Sequence, residues 1–153
     1  MNDLSMVDAG LDDIVGSIAF AVFGAEAQRT REHPLPPREA RVTGVVSIAG
    51  GWNGAVSITC SPTFAARAAS VMFGRSIATV TSSDIHDAVG ELANIVGGNL
   101  KPLVHSESSM CVLSIPIVVE GEIAVPGTEL QSNWFELLGE WLCVTIFEEV
   151  RLS

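Results

Sequence analysis

The sequence contains few basic side chains. Of its 153 residues, 18 are acidic and 8 are lysine or arginine, which gives a formal net charge of −10, and Lys101 is the only lysine. Non-specific nucleic-acid binding needs a basic surface, and anionic membranes attract basic segments. The composition therefore argues against nucleic acid and against a membrane surface as partners. It favours a protein with a basic patch or a small molecule.

The sequence also lacks paired cysteines. Cys60, Cys111 and Cys143 form no CxxC motif and no Cys/His spacing of the kind that binds zinc, so no metal site is expected. All three lie in apolar, strand-like runs, which predicts buried, reduced thiols in a reducing compartment. The acidic residues 1–13 contain no basic segment typical of a signal peptide. These features together predict a cytoplasmic protein.

No stretch of the sequence resembles a membrane-spanning helix. Residues 42–66 carry no charge, but glycines and a proline interrupt them, so paired strands are favoured over a membrane span. Hydrophobic residues make up 48% of the chain and charged residues 17%. A chain of this length and composition can form one compact core. We therefore predict a single domain over residues 1–153.

The pattern of apolar residues predicts a mixture of helices and strands. Ser61 and Gly74 are typical caps for the second helix, and Asp84 is predicted to cap the third, with Asp87 completing a weaker capping box. Pro116 lies inside a predicted strand, which indicates an edge or a bulge. The predicted helices are Leu11–Phe23, 62–73 and 84–101, the predicted strands are 42–49, 55–60, 111–119, 134–138 and 141–147, and residues 26–40 are predicted as a loop. This order predicts an α+β fold with long helices on one face of a mainly antiparallel sheet.

A faint internal repeat relates the first and third predicted helices. Residues 12–24 align without gaps on residues 86–98, with six identical pairs that include Gly16 with Gly90 and Ala19 with Ala93. A strand pair follows each helix, so the sequence predicts two half-repeats, roughly 8–74 and 82–150, related by a pseudo-twofold axis. The alignment matches Glu91 with Ser17 and Asn94 with Phe20, so only the second half carries a polar pair there.

The third predicted helix has two distinct faces. Its apolar stripe comprises Ile85, Val89, Leu92, Val96 and Leu100, and its polar stripe comprises Asp87, Glu91, Asn94, Gly98 and Lys101. Asparagine and glycine are poor helix formers, so propensity alone does not account for the polar stripe. Taken alone, a glutamate and an asparagine three residues apart are most often an ordinary solvated face. Asp87 also has a simpler explanation, because a carboxylate near a helix N-terminus is favoured by the dipole.

The motif Asp87-x3-Glu91-x2-Asn94, with Pro116 about two dozen residues later, resembles the signature of the CheC/CheX/FliY chemotaxis phosphatases. The run from Glu91 to Lys101 is most similar to CheX-type members, which also carry one Glu/Asn pair. The resemblance implies hydrolysis of the aspartyl phosphate of a CheY-like response regulator. It implies that Glu91 pairs with a lysine of the regulator and that Asn94 orients the attacking water.

The same resemblance implies further roles at this face. Asp87 would support the helix face or the docking surface, Gly97 and Gly98 would allow the partner's backbone to come close, and Lys101 would lie on the partner-binding surface. The chain would need no cofactor of its own, because Mg²⁺ would belong to the regulator, and it would form a homodimer through sheet edges. Two other hypotheses remain: a CheX-like module that binds a receiver domain without hydrolysis, and a purely structural or oligomerising domain.

Overall fold

The computed structural model describes residues 4–31, 40–104 and 110–149, with side chains from residue 7 onward. It is a single α+β domain of three helices and a seven-stranded antiparallel sheet, as predicted. The helices are α1 (Leu4–Phe23), α2 (Pro62–Phe73) and α3 (Ser82–Val104), with a 3₁₀ turn at Ile77–Thr79. The strands are β1 (Gln28–Thr30), β2 (Val42–Gly50), β3 (Gly54–Cys60), β4 (Cys111–Leu113), β5 (Ile117–Glu120), β6 (Thr128–Leu137) and β7 (Glu140–Glu148).

The sheet has the strand order β1-β6-β7-β3-β2-β4, and β5 also pairs with β2. Its two central strands, β3 and β7, pair in register from Gly54 with Glu148 to Cys60 with Leu142. One central strand therefore comes from each half of the chain. The pseudo-twofold relation between the halves, and the boundaries given for them, stay predictions.

Helices α1 and α3 bury apolar stripes against the sheet and against each other. The stripe of α1 steps by four residues through Val7, Leu11, Val15 and Ala19, all at most 4% exposed. Because Val7 extends this stripe, α1 begins at Leu4 rather than at the predicted Leu11. The α3 stripe is buried as predicted from Val89 to Leu100, and Ile85 packs against the core. None of the described helices is both long enough and apolar enough to cross a membrane.

The structure contains the predicted caps of α2 and the predicted turn around Gly139 in the last hairpin. The Ser61 hydroxyl accepts a hydrogen bond from the Phe64 N–H at 2.9 Å, and Gly74 adopts the left-handed conformation at φ 64°. In the β6–β7 hairpin, Leu138 and Gly139 have φ values of 56° and 74°. Two consecutive positive φ values are typical of the two-residue turns that join twisted antiparallel strands.

Part of the predicted loop over residues 26–40 is wrong. Residues Gln28–Thr30 form β1, which pairs with residues 134–136 of β6. This strand is short and mostly exposed, so it has no alternating apolar pattern to reveal it. Residues 32–39 of the predicted loop lie outside the described residues.

None of the three cysteines forms a disulfide. Cys60 and Cys143 are buried as predicted, but Cys111 is only partly buried because it lies in the edge strand β4. Burial raises the pKa of the Cys60 thiol from 9.0 to about 12, because the thiolate would lose its hydration. Cys60 is therefore a protonated, unreactive core residue at neutral pH.

The start of α3 differs from the prediction. Helix α3 begins at Ser82, and a reciprocal capping box joins Thr81 and Asp84. The Asp84 N–H donates to the Thr81 hydroxyl at 3.1 Å, and the Thr81 N–H donates to the Asp84 carboxylate at 3.0 Å. Asp84 is thus the third residue of the first turn and not its cap, and Asp87 is not part of the box. The correct pair, Thr-x-x-Asp, begins three residues before the predicted one.

The capping box predicts a pH-dependent contribution to stability. The Thr81 backbone N–H, with help from Arg75, lowers the pKa of Asp84 below its ordinary value of 3.8. A lowered folded pKa gives stabilisation that is present above pH 3.8 and is lost as pH falls through the folded value. We expect Asp84→Asn to unfold at lower urea than the wild type at pH 7, and the difference to shrink at pH 3. Urea titrations followed by circular dichroism measure both, and an equal difference at the two pH values would contradict the prediction.

Candidate docking and catalytic groove

A β-bulge separates β4 from β5 and forms one wall of the site. Val45 of β2 pairs with Ile117 of β5, and Ile48 of β2 pairs with Leu113 of β4. Between these pairs, the two residues 46–47 of β2 face the three residues 114–116 that join β4 to β5. One extra residue in a strand bends it and re-aims its side chains. The single strand predicted over residues 111–119 is therefore two strands, and Pro116 lies in the bulge, as its position indicated.

Two hydrogen bonds fix the bulge to β2. The Ser114 N–H donates to the Ser47 carbonyl oxygen at 2.9 Å, and the Ser47 N–H donates to the Ser114 hydroxyl at 2.9 Å. The side chain of Ser114 thus replaces a backbone acceptor that the extra residue displaces. The bulge is a hydrogen-bonded part of the sheet rather than a free loop.

Gly90 allows the bulge to lie close to α3. A Cβ atom built on Gly90 would lie 3.4 Å from Pro116 Cβ and 3.5 Å from Val118 Cγ2. These distances leave room for little more than a methyl group, so a larger residue at position 90 would push Pro116 away. Gly90 and Pro116 together set the width between the helix and the bulge.

The space between α3, the bulge and the end of α2 is an open groove of about 630 Å³. Helix α3 supplies its polar side, and the bulge, β5 and α2 supply its apolar side. The lining residues are Phe73, His86, Asp87, Gly90, Glu91, Asn94, Ile115, Pro116 and Val118. The groove therefore combines a polar floor with apolar walls.

The predicted site residues Asp87, Glu91 and Asn94 all line this groove. Asp87 and Glu91 are exposed, and Asn94 is half-buried. Within the described part of the chain, none of the three side chains has a hydrogen-bond or ion-pair partner. Glu91 and Asn94 are separated by about 4.5 Å along the helix axis. Two free carboxylates and one free carboxamide are thus available to a molecule that enters the groove.

The other predicted site residues lie beyond the groove. A Cβ atom on Gly97 would lie 3.3 Å from Leu113 Cδ2, and the half-buried Gly98 also faces Leu113. The Lys101 ammonium donates to the Cys111 carbonyl oxygen at 3.3 Å, which ties the end of α3 to β4. The structure thus gives Gly97 and Lys101 a packing role within this chain. Their contribution to partner binding stays a prediction.

Several groove residues were not predicted from the sequence. Phe73 and His86 line the groove, and the His86 Nε2 atom is buried without a hydrogen-bond partner among the described residues. Ile115 is 86% exposed. Pro116 was the one sequence signal near these residues, because a proline inside a strand indicates an irregular backbone beside Ile115.

Across residues 4–31, 40–104 and 110–149, no group of three or more histidine, cysteine or acidic side chains could hold a metal ion.

Comparison with protein families gives one match. The model of the family described as "Chemotaxis phosphatase CheX" matches residues 42–128, which is more than half of the chain. This range contains Asp87, Glu91, Asn94 and Pro116. No curated protein sequence matches the chain.

Solved structures share the fold at low sequence identity. A chemotaxis protein CheX from Vibrio vulnificus superposes with a TM-score of 0.74 at 20% identity, with 94% of this chain and 96% of that chain covered. CheX in a CheX–CheY–BeF₃–Mg²⁺ complex from Borrelia burgdorferi gives 0.68 at 18% identity, with 98% and 100% covered. FliY of Thermotoga maritima gives 0.54 at 15% identity, with 91% and 84% covered.

Proposed function

This chain belongs to the CheX family of chemotaxis phosphatases, and we propose that it hydrolyses the aspartyl phosphate of a CheY-like response regulator. The observation that carries the proposal is the pair of free side chains, Glu91 and Asn94, one turn apart on a helix at an open groove. The buried stripe on the opposite face of α3 fixes the helix against the core, and so fixes the backbone positions from which both side chains extend. In the complex from Borrelia burgdorferi, a protein of this fold contacts CheY with beryllium fluoride and Mg²⁺.

Asn94 positions the attacking water. An acyl phosphate is a reactive electrophile, so its hydrolysis mainly needs an aligned water and stabilised charge. The water oxygen forms a bond to phosphorus, the bond from phosphorus to the aspartyl oxygen breaks, and inorganic phosphate and the aspartate carboxylate are released. A carboxamide can both accept a hydrogen bond from the water and donate one to the phosphoryl oxygens. Asn94 therefore acts without changing its own charge.

Glu91 docks the helix on the regulator. It is exposed and has no cation beside it in the described part of the chain, so a lysine of the partner can pair with it without displacing another group. Charge-assisted hydrogen bonds of this kind orient two surfaces. Asp87, one turn earlier on the same face, adds a second negative charge to the docking surface.

The remaining assignments follow from family membership. Mg²⁺ belongs to the regulator, and this chain contributes no cofactor.

Gly97, Gly98 and Lys101 border the docking surface at the end of α3. A homodimer through sheet edges is supported by Val112, which is 61% exposed on the edge strand β4. A cytoplasmic location accords with a cytoplasmic class of substrate.

The experiment that tests this function follows the decay of a phosphorylated receiver domain. CheY-like receivers from the same genome are phosphorylated with acetyl phosphate, separated from the donor, and incubated with and without this chain. We expect at least one receiver to lose phosphate faster when the chain is present, at catalytic ratios of chain to receiver. Binding of a phosphorylated receiver with unchanged decay would instead support the non-hydrolytic module, and no binding to any receiver would contradict both.

A further inference from the structure

We infer that Ile115 and Phe73 form an apolar clamp that holds the phosphorylated receiver domain over Asn94, and that this clamp sets affinity rather than the rate of the chemical step. This inference rests on the proposed function. It adds a specificity surface that is built from the bulge and from the end of α2, outside the Asp87–Asn94 motif.

The exposure of Ile115 is the first observation. Its side chain is 86% exposed, more than any other large apolar side chain in the described residues. Exposed large apolar residues on a rigid surface commonly mark contacts with another protein. Because the bulge is hydrogen-bonded to β2 through Ser114 and Ser47, the backbone beside Ile115 is held in place. A β-branched side chain on an ordered backbone has few rotamers to lose on binding.

The position of Phe73 is the second observation. Phe73 is the last residue of α2 and is 41% exposed. Phe73 and Ile115 both line the groove, and they belong to elements on either side of α3. The free groups of α3 lie between them. Apolar contacts around a polar site exclude water and strengthen the electrostatic interactions inside it.

The charge of the groove indicates the occupant. Asp87 and Glu91 are two carboxylates without a cation in the described residues, so the occupant must bring positive charge. A receiver active site supplies a lysine and a bound divalent cation. For Ile115 and Phe73 to make apolar contacts as well, the receiver must carry apolar side chains beside that active site. The occupant is therefore the active-site face of a receiver domain, flanked by apolar residues.

The test compares Ile115→Ser with three control variants. Ile115→Met keeps an apolar side chain in the clamp. Phe20→Ser removes a 78% exposed apolar side chain on α1, and Ile117→Ser removes one from the same sheet edge but outside the groove lining. For each variant, kcat and KM are measured with the phosphorylated receiver, and binding is measured with its beryllium fluoride form. Analytical ultracentrifugation reports any change in oligomeric state.

We expect Ile115→Ser to raise KM and the dissociation constant about tenfold with kcat unchanged, which corresponds to the loss of one buried contact residue. Phe73→Ser should act in the same direction, and Ile115→Met, Phe20→Ser and Ile117→Ser should behave as the wild type. An Ile115→Ser variant with wild-type KM would overturn the clamp while leaving the phosphatase assignment intact. An equal loss in Ile117→Ser would assign the effect to the sheet edge and would also overturn it. If the wild type neither binds nor dephosphorylates any receiver, the proposed function itself has failed.

Discussion

Asn94→Ala is expected to lower kcat for dephosphorylation by about a hundredfold or more, because a misplaced reactant costs about this factor. Asn94 is half-buried at the groove and has no hydrogen-bond partner in the described residues, so alanine removes the carboxamide without leaving a buried group unpaired. The free energy of unfolding and the affinity for the beryllium fluoride form of the receiver should therefore stay close to wild-type values. Single-turnover decay of the phosphorylated receiver, with saturating enzyme, isolates the chemical step.

The matched control for this experiment is Asn99→Ala. Asn99 is an exposed asparagine of the same helix, and its amide donates to the Ile95 carbonyl oxygen at 2.8 Å, away from the groove lining. It should retain wild-type kcat. A folded Asn94→Ala variant with full activity would remove Asn94 from the mechanism, whatever the result for the control.

Glu91→Lys is expected to lower kcat/KM by about a hundredfold, chiefly through weaker docking. The substitution places a cation where a lysine of the partner approaches, and like charges at an interface cost several kcal/mol. Glu91→Gln should have a smaller effect, because it removes the attraction without adding repulsion. If the interaction is ionic, wild-type affinity should fall as salt rises, and the fall should be less steep for Glu91→Gln. Surface plasmon resonance at several salt concentrations measures both quantities.

Glu136→Lys is the control for the change in net charge. Glu136 is exposed on β6 and lies outside the groove lining, so this variant changes the total charge equally. Its kcat/KM should stay within a few-fold of the wild type, since distant surface charges are largely screened. If both variants lose activity equally, the overall charge of the protein, and not a contact at Glu91, would account for the effect.

The polar, groove-facing side of α3 could be predicted because a helix encodes both of its faces locally. The spacing of Asp87, Glu91 and Asn94 places them on one side, and the apolar stripe fixes which side is buried. The beginning of the same helix was predicted less well. Both Thr81 and Asp84 are good capping residues, and only the reciprocal hydrogen bonds between them decide which is the cap.

The walls of the groove could not be predicted in the same way. Pro116 indicated an irregular strand, but the direction of Ile115 depends on the register of β4 and β5 against β2, which are distant in the sequence. Phe73 reaches the groove only because α2 packs beside α3. Register and helix packing are non-local, and no pattern within one element reveals them.

The antiparallel pairing of β3 with β7 has a consequence for how the chain acquires its structure. The centre of the sheet joins Gly54 to Glu148 and Cys60 to Leu142, so it closes only after residue 148 has left the ribosome. Contacts between such distant segments slow folding, because a long loop must close before any pairing energy is gained. Helix α3 packs on β2 and β3, and one edge of β3 stays open until β7 pairs with it. A growing chain that lacks β7 exposes the edge of β3, and the unpaired backbone groups there are available to the strands of other chains.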